Sequence, residues 1–148
     1  MFPNAKGSEL LAILATIDPA SQAAGSVSTG WISVANHHGL LAVIQTGVLG
    51  TGATVDAKLQ QALDATGTSA KDITGKAITQ IVKASGDNKQ VLINARPEDL
   101  DTVNGFGFVR LSVTVGVAAS LVAAQVLGVN PRELPANTGN QAAVAQIV

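Results

Sequence analysis

His37 and His38 are the only imidazoles in the chain, and imidazole is the side chain best suited to proton transfer and to metal binding near neutral pH. Both lie in WISVANHHGLLAVIQTG, Trp31 to Gly47, together with the one tryptophan. Neighbouring side chains on an extended strand point to opposite faces, so the two rings diverge instead of converging on one ion. Chelation is better served by H-x-H on a strand or H-x-x-x-H on a helix. No carboxylate lies within ten residues on either side to orient a ring. The pair therefore reads as a polar hairpin tip. Trp31–Ala35 and Leu40–Thr46 are rich in β-formers, and the NHHG between them ends in a glycine able to take positive φ.

The other candidates carry less. GVLGTG, Gly47 to Gly52, has the glycines of a phosphate loop but neither its spacing nor its lysine, since Lys58 is too far along. It reads as a turn between strands. Glu98, Asp99 and Asp101 form the one acidic cluster, in PEDLD. Paired carboxylates can bind calcium or move protons, but the D-x-D-x-D-G pattern is missing, and acids beside proline are ordinary turn formers. No G-x-S-x-G elbow exposes a serine, and there is no cysteine for thiolate chemistry, zinc or disulfides. Trp31, Phe106 and Phe108 are too few aromatics for a sugar or single-strand platform. These residues point away from an enzyme, and no metal or other cofactor is expected.

The elements that position these residues follow from composition and period. The chain is 148 residues long, enough for one domain with a real core. It is 47% hydrophobic and only 13% charged, about half the usual charged share, which implies surface covered by a partner or by further copies. Its nine Lys and Arg are scattered singly and the net charge is −1, so no basic stripe exists for a nucleic acid. The start MFPNAKGSELLAILATIDPASQAAG imitates a secretory signal only loosely, with a short apolar run broken by Asp18-Pro19. Leu111–Val129 holds no charge and is long enough to cross a bilayer. Its first half, however, alternates strictly from Val109 to Val117, a period of two that a lipid-facing helix does not need. Two consecutive buried strands are expected there, and no membrane.

Along the chain, Leu10–Ile17 is an apolar run that pattern alone leaves as helix or strand, stopped at Asp18-Pro19. Ser21–Gly30 reads as a loop. TVDAKLQQALD fits either a strand, with Gln61 ending or twisting it, or a helix. ATGTSAKDITG reads as a loop before KAITQIV. QVLINA, ended by Pro97, is followed by a polar connection and then FGFVRLSVTVGV. AASLVAAQVLGV closes the regular part, and NPRELPANTGNQ is an irregular exit. Short segments with turn signals every 8–12 residues or so mark an all-β, antiparallel β-sandwich. A jelly roll is one form of it, and the sequence leaves strand order open. The expectation is a single domain over residues 1–148, with extended, flexible arms at about residues 1–8 and 136–148.

Three blocks together resemble a known family. They are GLLAVIQTGVLGTGATVDAKLQQALDATGTSAKDITGKAITQIV, then DNKQVLINARPEDLD, then GFGFVRLSVTVGVAASLVAAQVLGVNPRELP. The pattern is similar to small virion structural proteins of tailed bacteriophages and prophages, over roughly Glu9 to Pro135. The resemblance implies a β-sandwich, a strand at TVDAKLQQALD, and no catalytic residues. It also implies a capsid decoration, or cement, protein at the capsid surface of the virion, whose partners are the major capsid protein and copies of itself. Contact residues expected on this reading are Phe2 and Pro3 in the N-terminal arm, Trp31 as an anchor, and Ile147 and Val148 in the tail. The alternatives are a head–tail connector, tail terminator or tail-tube subunit. Further off stand a small membrane protein using Leu111–Val129 and a metal enzyme built on His37-His38.

Overall fold

Segments that alternate apolar and polar residues can bury one face only by pairing into sheets, and the chain does so almost entirely at long range. The computed structural model describes residues 4–136 and 141–148. Its strands are β1 (Leu11–Gln22), β2 (Gly25–Ser28), β3 (Ile32–Ser33), β4 (His37–Thr46), β5 (Thr54–Ala62), β6 (Lys71–Ala77), β7 (Ile81–Val82), β8 (Gln90–Ala95), β9 (Phe108–Gly116) and β10 (Ser120–Pro131).

One sheet has the order β1-β10-β4-β8, and the other β2-β9-β5-β6, with β3 beside β9 and β7 beside β5. Every pairing is antiparallel. Taking the two-residue β3 and β7 as pieces of their neighbours leaves eight strands in two four-stranded sheets. Strands adjacent in sequence mostly change sheet. That order is a double-sheet jelly roll. The core lies between the sheets, where Val55, Ala57 and Leu59 of β5 and Val109, Leu111, Val113 and Val115 of β9 oppose Leu40, Ala42, Ile44, Val122, Ala124 and Val126 of β4 and β10.

The charge-free run Leu111–Val129 is split, as its period requires, into β9 of one sheet and β10 of the other. No helix among the described residues is long and apolar enough to cross a membrane. TVDAKLQQALD is strand β5 as far as Ala62. Gln61 does mark its end. It is 5% exposed, and its Oε1 accepts the Asp101 N–H at 2.8 Å, which binds the strand end to the β8–β9 connection.

Four expectations need correction. The strand β1 does not stop at Asp18-Pro19 but runs on to Gln22. It is an edge strand, where proline's missing donor costs nothing on the free side, and a register shift between Ile17 and Ala20 absorbs the irregularity. The supposed loop Ser21–Gly30 contains β2, whose Ser and Gly residues give no hydrophobic signal because the pairing to β9 is made by backbone. Lys71–Gly75, read as loop, belongs to β6, an edge strand that pairs only at intervals with β5. Finally, NHHG is not a hairpin tip. The strand before it, β3, pairs with β9 in one sheet, while β4 pairs with β10 and β8 in the other. A run–turn–run pattern looks the same whether the second strand folds back on the first or crosses to the opposite sheet.

Candidate functional site

The crossing from β3 to β4 brings His37 to one end of the sandwich, where β1 and β4 begin and β8 and β10 end. His37 is 1% exposed, while His38 beside it is exposed. The two rings part. Neither ring nitrogen of His37 has a hydrogen-bond partner among the described residues, and burial pushes its pKa down because the imidazolium would lose its hydration. Above the ring, the exit from β10 closes a cavity of about 300 Å³ lined by Asn36, Pro131, Arg132 and Glu133 among others. The exit is tied down by the Arg132 N–H to the Asn36 carbonyl at 2.9 Å and by Arg132 Nε to the Ala35 carbonyl at 2.8 Å. No group of three or more His, Asp or Glu is placed to hold a metal ion among the described residues.

The acidic cluster is committed to holding the β8–β9 connection on β6. Asp99 accepts the Arg96 N–H at 2.8 Å and pairs with Lys76 at 2.9 Å. Asp101 pairs with Lys71 at 2.6 Å and accepts both Asn104 Nδ2 contacts at 2.9 Å. Lys76 and Lys71 respectively hold these two carboxyls below the usual range. Lys71 also lies 4.2 Å over the Phe106 ring. Glu98 is exposed. GVLGTG is likewise built into the fold. Its Leu49 is core, the Leu49 N–H donates to Asp87 and the Gly50 N–H to Ser120 Oγ, so these amides are spent inside the protein.

Trp31 stands half-buried at the end of a ladder of polar side chains on the outer face of the β2-β9-β5-β6 sheet. The Arg110 guanidinium sits 4.6 Å over its ring, and Arg110 Nε donates to Gln60 Oε1 at 2.9 Å. Gln60 Nε2 donates to Asp72 at 2.7 Å, and Lys58 reaches the same carboxylate at 2.8 Å. The Lys58 bond keeps the Asp72 carboxyl below its ordinary range. Gly67 packs against the indole, since a Cβ there would fall 2.4 Å from Trp31 Nε1. The ladder could be found in sequence only once β5, β6 and β9 were known to be neighbours.

The segments expected as arms can be followed in part. The Ala136 N–H donates to the Glu9 carbonyl at 2.9 Å, and Ala136, 4% exposed, is part of the core. Glu9 and Ala136 therefore lie together at one end of the sandwich, and Ala136 lines the same cavity as His37. Further on, the turn Gln141–Ala143 lies beside β1. Ile147 and Val148 are exposed at 62% and 107%. Phe2 and Pro3 lie outside the described residues.

No protein-family model matches the chain, and no curated protein matches it. Solved structures do match in fold. The structure of Broad Bean Stain Virus is 11% identical over 97% of each chain, with a TM-score of 0.48. Desmodium yellow mottle tymovirus is 12% identical over 88% of this chain and 93% of that one, with a TM-score of 0.42. A xylan-binding domain from Paenibacillus barcinonensis is 15% identical over 84% of each chain, with a TM-score of 0.40. The likeness is one of fold alone.

Proposed function

We propose that this chain is a virion structural protein, specifically a capsid decoration protein that binds the major capsid protein on the outside of the shell and helps to hold neighbouring capsomers together. The observation that carries this reading is the common root of the arms. Ala136 and Glu9, bonded backbone to backbone, bring the roots of both terminal segments together at one end of the jelly roll. Exposed apolar residues such as Ile147 and Val148 are then available to order on a neighbour. Many weak arm contacts repeated over a symmetric shell add up through effective concentration. The resemblance of the sequence blocks to small phage virion proteins supports the same role.

On this reading the protein acts without catalysis or cofactor, and its partners are capsid protein and further copies of itself. Deleting residues 137–148 keeps Ala136 and the core, so the truncated chain is expected to fold and to lose shell binding. Co-sedimentation with purified phage shells, beside a thermal melt, checks both halves. A truncated chain that folds and still pellets with shells would sink the arm mechanism. A full chain that ignores shells and assembles into closed rings would replace decoration with the head–tail connector or tail reading.

A further inference from the structure

The two outer faces of the sandwich differ in kind. The strands of the β2-β9-β5-β6 sheet carry Asp56, Lys58, Lys71, Asp72, Lys76 and Arg110. In the other sheet, β10, β4 and β8 contain no Asp, Glu, Lys or Arg at any position, and β1 contributes only Asp18, in its bulge at the rim. Its inward positions are filled by the core, so the outward ones should be polar if they faced water. They are not. Ile13, Leu41, Val43, Leu92, Leu121 and Leu127 point outward, with Leu92 57% and Leu121 47% exposed. The polar groups among them are uncharged: the hydroxyls of Thr16 and Ser21 and the amides Gln45, Gln90, Asn94 and Gln125. Apart from Asp18 the strands carry no acidic or basic residue on either side, and large apolar side chains stand outward among the amides, as if this sheet were the middle layer of something larger.

We propose that the β1-β10-β4-β8 face is a self-association surface that packs against the same face of a second copy around a two-fold axis. Two arguments select a second copy over other occupants. A face without charge can be brought against itself with no like-charge repulsion, and amides, which both donate and accept, can pair with their own symmetry mates. Area is the second. Three strands with about nine paired residues and β8 with six, about 4.8 Å apart at about 3.3 Å rise, give roughly 520 Å² per copy, so roughly 1,050 Å² together, just above the ~1,000 Å² that a specific interface needs. The packing is that of two stacked sheets, side chains interdigitating about 10 Å apart. It also accounts for a chain so poor in charge. This inference rests on the reading of a self-associating decoration protein and names the surface it uses.

The test is the solution mass of the full, untagged chain across a concentration series, without shells. The expected result is a two-fold multiple of the monomer. Gln125, already exposed at the middle of the face between Thr16 and Val43, is the variant site least able to harm the fold. Gln125→Lys is expected to raise the dissociation constant about tenfold or more, while Ser28→Lys on the opposite sheet leaves it unchanged. The chain has no cysteine, so Gln125→Cys is expected to crosslink two copies on oxidation. A wild-type monomer at every concentration overturns the proposal. So does an oligomer that ignores Gln125→Lys, or one that Ser28→Lys alone dissociates. Because shells are absent, failure here is separate from failure to bind them.

Discussion

The ring of His37 fills the place that a side chain at residue 128 would take. A Cβ on Gly128 would fall 2.5 Å from Cδ2, 2.6 Å from Nε2 and 2.7 Å from Cγ of the imidazole. Contacts under 3 Å cannot be relieved by a small adjustment, because the ring is itself buried under the β10 exit. Gly128→Ala is therefore expected to destabilise the fold by about 1–3 kcal/mol, the range for overpacking a core. In a His37→Ala background the same change should cost much less, since the space is then free. A double-mutant cycle by denaturant unfolding measures the difference, and equal costs in both backgrounds would show that the two residues do not compete for this space.

His37 also sets a pH dependence. Its folded pKa lies below the ordinary value of 6.5. The unfolded chain takes up a proton there first, so stability is complete above about pH 6.5 and falls as the pH drops below it, until the folded state is protonated too. His37→Leu, which removes two ring nitrogens that have no partner among the described residues, should flatten that fall and leave stability at pH 8 equal or higher. Thermal melts between pH 5 and pH 8 decide it. The His37 resonances of the native protein should not titrate with a midpoint at 6.5.

At lower pH the aspartates take over, with the same sign. Asp72, Asp99 and Asp101 have folded values below 3.8, each because a lysine donates to the carboxylate. Their stabilisation is present above that pH and is lost as the pH falls through the folded values. Asp99→Asn combined with Asp101→Asn is expected to lower the melting temperature at pH 7 and to shrink the further drop between pH 4 and pH 2. An undiminished acid drop in the double variant would mean that the clamp on β6 contributes nothing.

Val117 is held at φ 69° in the corner that joins β9 to β10, and its side chain is exposed. A β-branched residue in the left-handed region costs about 1–2 kcal/mol, and glycine removes that cost while giving up little packing. Val117→Gly is expected to stabilise by about 1 kcal/mol, seen as a higher denaturation midpoint with an unchanged slope. A lower midpoint would show that the exposed isopropyl group packs more than its exposure suggests.

The sequence by itself determined the class of structure. Strict alternation in Val109–Val117 and in Val55–Leu59, with turn residues between short segments, permits a two-sided sandwich and argues against a membrane helix, because a period of two puts one face inside. The scarcity of charge raised the expectation of a covered surface, which the proposed self-association would meet. Strand order was not legible. It depends on which distant strands meet, and β3 and β4, read as a hairpin, lie in different sheets, paired with β9 and β10.

The sites follow the same division. Local spacing correctly separated His37 from His38, since neighbours on a strand face opposite ways. Only the tertiary structure put His37 under the Arg132 exit, bound Asp99 and Asp101 to lysines of β6, and lined Trp31, Arg110, Gln60 and Asp72 along one face. It alone gathered the outward residues of β1, β10, β4 and β8 into one uncharged face, for alternation tells that a residue points out but not which others stand beside it.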